Sequence, residues 1–228
     1  MDMSPRPDRQ PPQPEALGFA GLLRHEAETL RRGERTRAAL LLSTCRLLDR
    51  NQPGELTVSN ICAGAGIAHG TFYLHFADRH AIVADVLLAF IGYLLRVMRQ
   101  SAKAEAQDRV RATTAAYYDL FEQNPGLMKC LVNHLESFPE ARDAFHQLNH
   151  KWNLTVVEAV ERHRARDAGA ARLPRDELMR RAYALGGMID QYLSALLLSR
   201  DPTLVSVSRD RDAVIDTLSL IWKRGMEG

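Results

Sequence analysis

His69, Gly70, Thr71, Tyr73 and His75 form a short run of hydrogen-bonding and small side chains with no nucleophile beside them. Their chemistry suits recognition rather than turnover. A tyrosine hydroxyl donates to a phosphate oxygen, a threonine offers a hydroxyl or a methyl to a base edge, and a glycine lets backbone approach a duplex closely. The elements that must position them are equally legible. Val58, Ile61, Cys62 and Ala65 recur at i, i+3, i+4 and i+7, the apolar stripe of one short helix. Thr57 stands where an N-cap hydroxyl accepts from the first turn, Ser59 lies in that turn, and Gly66 follows where a left-handed residue ends a helix. A second helix starts near Ala68 and buries Phe72 and Phe76, one turn apart. Two short helices joined by a glycine-containing turn, the second with a hydrogen-bonding face, describe a helix-turn-helix. An ordinary helical hairpin inside an enzyme shares that spacing, so the rest of the chain must decide.

Gly-Thr-Phe-Tyr-Leu-His-Phe, residues 70–76, resembles the recognition-helix signature of the TetR family of regulators. Ala-Asp-Arg-His-Ala-Ile-Val, residues 77–83, resembles the start of that family's connecting helix. Residues 35–51, with Leu40, Leu41, Thr44, Leu47 and Leu48 on one face, resemble its first helix. The resemblance implies an all-α chain, with an N-terminal three-helix helix-turn-helix domain followed by a larger helical ligand-binding and dimerisation domain. It further implies a homodimeric repressor on a pseudo-palindromic double-stranded DNA operator, released by a small-molecule effector. On that resemblance Tyr73 and Arg79 contact phosphates, His69, Gly70, Thr71 and His75 face bases, and Thr57 and Ser59 complete the DNA-facing set. Ala68 departs from the family pattern, which often has a capping Ser or Thr there, so the second helix begins without a side-chain cap.

Composition bounds these expectations. At 228 residues, 46% hydrophobic and 25% charged, the chain belongs to the ordinary globular class and can bury a sizeable core. A net charge of +2 does not by itself mark a nucleic-acid partner. Locally, Arg31, Arg32, Arg35, Arg37, Arg46 and Arg50 outnumber Glu34 and Asp49 where the first helix would approach a phosphate backbone; a solvated helix face reads the same way. Cys45, Cys62 and Cys130 are an odd set without CxxC spacing, so neither a disulfide framework nor a zinc site is expected, and a cytoplasmic location fits. No apolar run of about 18 residues and no signal-peptide core are read.

Punctuation divides the chain into a proline-rich disordered tail (1–15), an extra helix (16–32), the helix-turn-helix domain (33–80) and the larger helical domain (81–228). In the last, helices are expected over about 79–103, 107–123, 126–136, 139–166, 175–199 and 209–224, with breaks at Asn124-Pro125-Gly126, at 167–174 and at Asp201-Pro202. The last two helices are expected to form the dimer interface through Leu185, Ile189, Tyr192, Leu218 and Trp222, with Gly186 and Gly187 permitting close backbone approach. Phe90, Tyr93, Tyr117, Phe121, Trp152 and Tyr183 are expected to line a pocket for a hydrophobic or aromatic ligand. Asp143, His146 and His150 share a helix face near His134, but lack an assignable fourth ligand and read as solvated; neither a metal nor a cofactor is expected. No phosphate loop, nucleophile elbow or HExxH pair supports an enzyme. The alternative is a ligand-binding or protein-interaction module of the same fold that has lost operator binding.

Overall fold

The computed structural model describes residues 18–50, 56–133, 139–165 and 173–227. Among these the chain is helical throughout and contains no strand.

Three helices build the N-terminal unit: α2 (Arg32–Arg50), α3 (Val58–Ala65) and α4 (His69–Phe72), preceded by α1 (Phe19–Glu28). Helix α2 turns Leu40, Leu41, Thr44, Cys45 and Leu48 inward, α3 adds Ile61 and Cys62, and Phe72 and Phe76 close the core. The two phenylalanine rings lie 5.8 Å apart. Thr57 caps α3 by accepting from the Asn60 amide at 3.1 Å, and Gly66 ends it at φ 66°. Helix α4 is a single turn with no side-chain cap at Ala68, shorter than the helix expected to carry both Phe72 and Phe76, although the amide of Phe76 still donates to the Phe72 carbonyl at 3.0 Å.

Helix α5 (Arg79–Ala104), capped by Asp78 accepting from Ala81 at 2.9 Å, runs from this unit into the body of the molecule. It is the one helix among the described residues long and apolar enough, by length and composition, to cross a membrane, a property obscured in the sequence by Asp85 and Arg96. Burial of 61% of its apolar window is the pattern of a core helix. Around it pack α6 (Arg109–Gln123) and α8 (Pro139–Arg164); α7 (Pro125–Asn133), α9 (Arg175–Leu193), α10 (Pro202–Val207) and α11 (Arg211–Met226) complete the body. Lys223 to Asp108 at 2.7 Å, Arg111 to Asp216 at 2.6 Å and Arg211 to Asp119 at 2.5 Å tie α6 to α11.

Two boundaries refine the sequence reading. Helix α9 gives way after Leu193 to a π-helical turn over Ser194–Leu198. The break at Asp201-Pro202 is present and also starts an additional helix, α10: Asp201 accepts from the Leu204 amide at 2.8 Å, and Pro202 occupies a first-turn position where its missing N–H costs nothing. The expected tail over 1–15, His134 and most of the loop at 167–174 lie outside the described residues.

The extra helix α1 has a definite seat. Phe19 is buried against Phe90 and Tyr93 of α5, with ring centroids 5.4 and 5.5 Å away, and its amide donates to Asn124 Oδ1 at 2.8 Å. Because α1 also packs along α2, it staples the N-terminal unit to the body. A second joint lies at Gly126, whose amide donates to Asp49 Oδ1 at 3.1 Å; a Cβ there would sit 2.3 Å from the Asp49 Cα. Glycine is what allows α7 to abut the end of α2.

Candidate nucleic-acid interface and the interior behind it

The polar run of the sequence lies on the outside of a buried aromatic platform. Phe72 and Phe76 face the core, which leaves Ser59, His69, Gly70 and Tyr73 exposed and Thr71 and His75 half-buried. Tyr73 is 53% exposed and packs edge-on to the His69 ring at 5.5 Å, so the two side chains form one contact point. Leu74, which the sequence reading passed over, is 81% exposed beside them. An apolar side chain presented bare next to hydrogen-bonding neighbours suits sugar or thymine-methyl contact. Its signal was present in the sequence: Leu74 falls two residues after buried Phe72 and two before buried Phe76, on the outward side of that turn.

The expected cations divide. Arg79 is half-buried and donates from Nη1 to the Leu56 carbonyl at 3.1 Å, so part of its guanidinium positions the segment leading into α3. Arg37 pairs with Asp85 and lies 5.1 Å over the Phe76 ring, and Arg35 Nε donates to the Leu30 carbonyl at 2.7 Å. Arg31, Arg46 and Arg50 are exposed. The basic stretch is thus partly structural.

Behind this face, the six aromatic residues expected to share a pocket do not form one group. Phe90 and Tyr93 belong to the Phe19 staple. Tyr183 is 45% exposed on α9, and Trp152 is half-buried on α8. Tyr117 and Phe121 are brought together edge-on at 5.2 Å on α6. The Tyr117 hydroxyl donates to Asp190 Oδ1 at 2.7 Å across the α6–α9 seam. Burial pushes the Asp190 carboxyl up to about 6, partly offset by that hydrogen bond, and burial followed by the Asp190 charge pushes the Tyr117 phenol well above its ordinary range.

The stripe expected to make the dimer interface is largely internal. Ile189, Leu218 and Trp222 are buried, the Tyr192 hydroxyl lies 2.8 Å from Ser208 Oγ, and Leu185 fills the space over Gly225, where a Cβ would come within 2.8 Å of it. These residues cover the core of their own chain because α9 and α11 pack on each other and on the body. Tyr183, Leu220 and Ile221 are instead the exposed large apolar side chains on these two helices. Among the described residues, nothing lies within 4 Å of a Cβ added at Gly186 or Gly187.

Cys45, Cys62 and Cys130 are all buried, and burial raises each thiol, Cys45 and Cys130 to about 12, so they behave as small apolar residues. Asp143, His146 and His150 are exposed on α8, and among the described residues no cluster of three or more acids, histidines or cysteines could hold a metal ion.

Comparison with known proteins converges on this architecture. The family described as "Bacterial regulatory proteins, tetR family" matches residues 40–86, from within α2 into α5. The HTH-type transcriptional regulator EthR of Mycolicibacterium smegmatis is 26% identical over 201 residues, covering 86% of this chain and 88% of its own. Among solved structures, the fatty acid degradation regulator FadR from Bacillus halodurans aligns with a TM-score of 0.65 at 14% identity, over 82% of this chain and 94% of its own. FadR from Bacillus subtilis, solved in complex with stearoyl-CoA, aligns with a TM-score of 0.64 at 15% identity, over 82% and 97%. With a helix-turn-helix built on a buried Phe72–Phe76 platform and an all-helical body behind it, the chain carries the DNA-binding domain of the TetR family over residues 40–86 and is similar to a transcriptional regulator along most of its length.

Proposed function

We propose that the chain is a homodimeric repressor that holds a pseudo-palindromic operator through α3 and α4 and leaves it when a small apolar or aromatic effector enters the helical body. The observation that carries the reading is the outward set His69, Gly70, Thr71, Tyr73 and Leu74 standing on fully buried Phe72. Tyr73 and Arg79 donate to phosphate; His69, Thr71 and His75 read base edges; Leu74 supplies apolar contact. Thr57 and Ser59 bring the start of α3 to the backbone. Dimerisation uses the outward faces of α9 and α11, where Tyr183, Leu220 and Ile221 are exposed and Gly187 leaves room for a second backbone. A twofold axis there sets two α4 turns about 34–36 Å apart or a multiple of it.

The effector reading draws support from the solved Bacillus subtilis neighbour with stearoyl-CoA and from the Tyr117–Phe121 wall inside the body. Phe19 against α5 and Asp49 on Gly126 supply two mechanical links by which a change in α5–α7 reaches α2. An effector acts only to the extent that it prefers the conformation in which the two α4 turns miss their half-sites.

The test is a fluorescence-anisotropy titration of the chain's own upstream intergenic DNA at stated salt, with scrambled duplex as competitor, alongside the solution mass. Saturable, competitor-resistant binding by a dimer is expected. Binding that scrambled DNA abolishes would favour the module that has lost its operator, a reading to which uncapped, one-turn α4 lends weight.

A further inference from the structure

Asp190 is the one acidic or basic residue in the buried class among the described residues. Its surroundings contrast with those of acids on the neighbouring helices α6 and α11. Asp108, Asp119, Asp212 and Asp216, at the α6–α11 contact, each meet an arginine or lysine within 3.3 Å. Asp190, deeper than any of them, forms no ion pair among the described residues; its recorded side-chain bond is the one from the Tyr117 hydroxyl to Oδ1. A buried carboxyl without a counter-ion is costly, and an asparagine would accept the same bond from Tyr117 without that cost.

The neighbourhood is built of further groups that packing alone does not require. One turn after Asp190, Ser194 is buried and donates to Asn133 Oδ1 of α7 at 3.0 Å. At Ser194 the helix opens into its π-helical turn, an irregularity frequent at binding sites. Across the seam, Tyr117 and Phe121 present an edge-on aromatic pair. An unpaired acid, an aromatic wall and a locally widened helix therefore meet where α6, α7 and α9 converge.

We propose that the Asp190 carboxylate, bonded by Tyr117, is the charged anchor of the effector site and takes a ligand carrying a basic nitrogen, such as an ammonium or amidinium, on an apolar or aromatic body. This rests on reading the helical body as effector-binding. Tyr117 keeps its bond to Oδ1 while the ligand nitrogen donates to Oδ2 and supplies the missing positive charge. The Tyr117 and Phe121 rings add cation–π attraction and cover the apolar portion. A carboxylate of the same shape meets a like charge and is rejected. Unfavourable burial of Asp190 in the empty protein is relieved by the ligand, which couples binding to rigidity of the α6–α9 seam.

The test uses the full chain and matched probes: octylamine, phenethylamine and naphthylmethylamine, each against the alcohol of the same body, read by melting-temperature shift and calorimetry. At least one amine is expected to bind the wild type about tenfold or more tightly than its alcohol, as expected for a charge-assisted bond. Asp190→Asn should erase that preference, whereas Tyr117→Phe, which leaves the carboxylate in place, should retain it. Circular dichroism of both variants without ligand checks that they fold. An amine preference absent from the wild type, surviving in Asp190→Asn, or lost equally in Tyr117→Phe overturns the anchor. Release of operator DNA by alcohols as readily as by amines would also overturn it while leaving the effector reading intact. Operator binding indifferent to every probe would count against both.

Discussion

The N-terminal unit and the helical body solve the same problem, burying apolar faces of helices, by opposite means. In the unit the determinants are close in sequence: the Thr57 hydroxyl caps its own helix three residues on, Gly66 turns it, and Phe72 and Phe76 form the platform one turn apart. In the body the decisive contacts are remote. Tyr117 reaches Asp190 across 73 positions, Arg211 reaches Asp119 across 92, and Lys223 reaches Asp108 across 115. An outward polar surface of this kind can be specified by a short motif on a small core. An interior site needs the whole bundle to assemble first.

That contrast can be broken most severely at Phe72. It is fully buried, and Phe72→Ala should cost about 3–5 kcal/mol, abolishing the α4 platform and DNA binding together. Thermal unfolding with an operator titration reads both. Unchanged DNA affinity would show that the platform does not position α4.

Asp190→Asn sharpens the other side, because it should stabilise. Folding raises the Asp190 pKa from 3.8 to about 6, so the folded chain holds that proton more tightly than the unfolded chain. Stability therefore falls as pH climbs from about 4 to about 6, and the full penalty stands above that window. Asparagine should recover up to about 3 kcal/mol near pH 7.5 and nothing below about pH 4, seen as denaturation midpoints converging at low pH. A gain independent of pH would contradict the buried-acid account.

Gly126→Ala strikes the joint between the regions. Its Cβ would fall 2.3 Å from the Asp49 Cα and 2.5 Å from the Leu48 carbonyl oxygen, and backbone cannot step aside as a side-chain tip can. A loss of about 1–3 kcal/mol is expected, with unfolding of α2 decoupled from the body in hydrogen exchange. Thr57→Ala is the mildest change, about 1 kcal/mol from one lost cap, confined to α3. Exchange protection lost across the body instead would contradict that local role.

The pattern of what could be read follows from the same physics. Caps, the Gly66 turn, the α2 and α3 stripes and the course of α5 were legible because each depends on residues within a turn or two. The start of α10 was also local, yet Asp201-Pro202 reads equally as a stop and as an N-cap followed by a first-turn proline. The α1 staple was not legible, since nothing near Phe19 in sequence announces Asn124 or Phe90. Nor was the facing of α9 and α11: a broad apolar stripe shows that one side is covered, without telling whether the cover is the same chain or a copy of it. The outward residues around α4 were legible as a set, whereas Arg79 took on an intramolecular bond to Leu56 that no spacing indicates.

The central claim is that the outward turn at α4 reads DNA, and Tyr73 tests it most directly because it is 53% exposed and can change without disturbing the core. Anisotropy titrations of the upstream intergenic duplex with wild type and Tyr73→Phe, at matched salt and with unfolding midpoints recorded for both, should show a several-fold weaker complex at an unchanged midpoint, as one phosphate hydrogen bond is worth about 1 kcal/mol. Equal affinity of the two proteins for that duplex would contradict the claim.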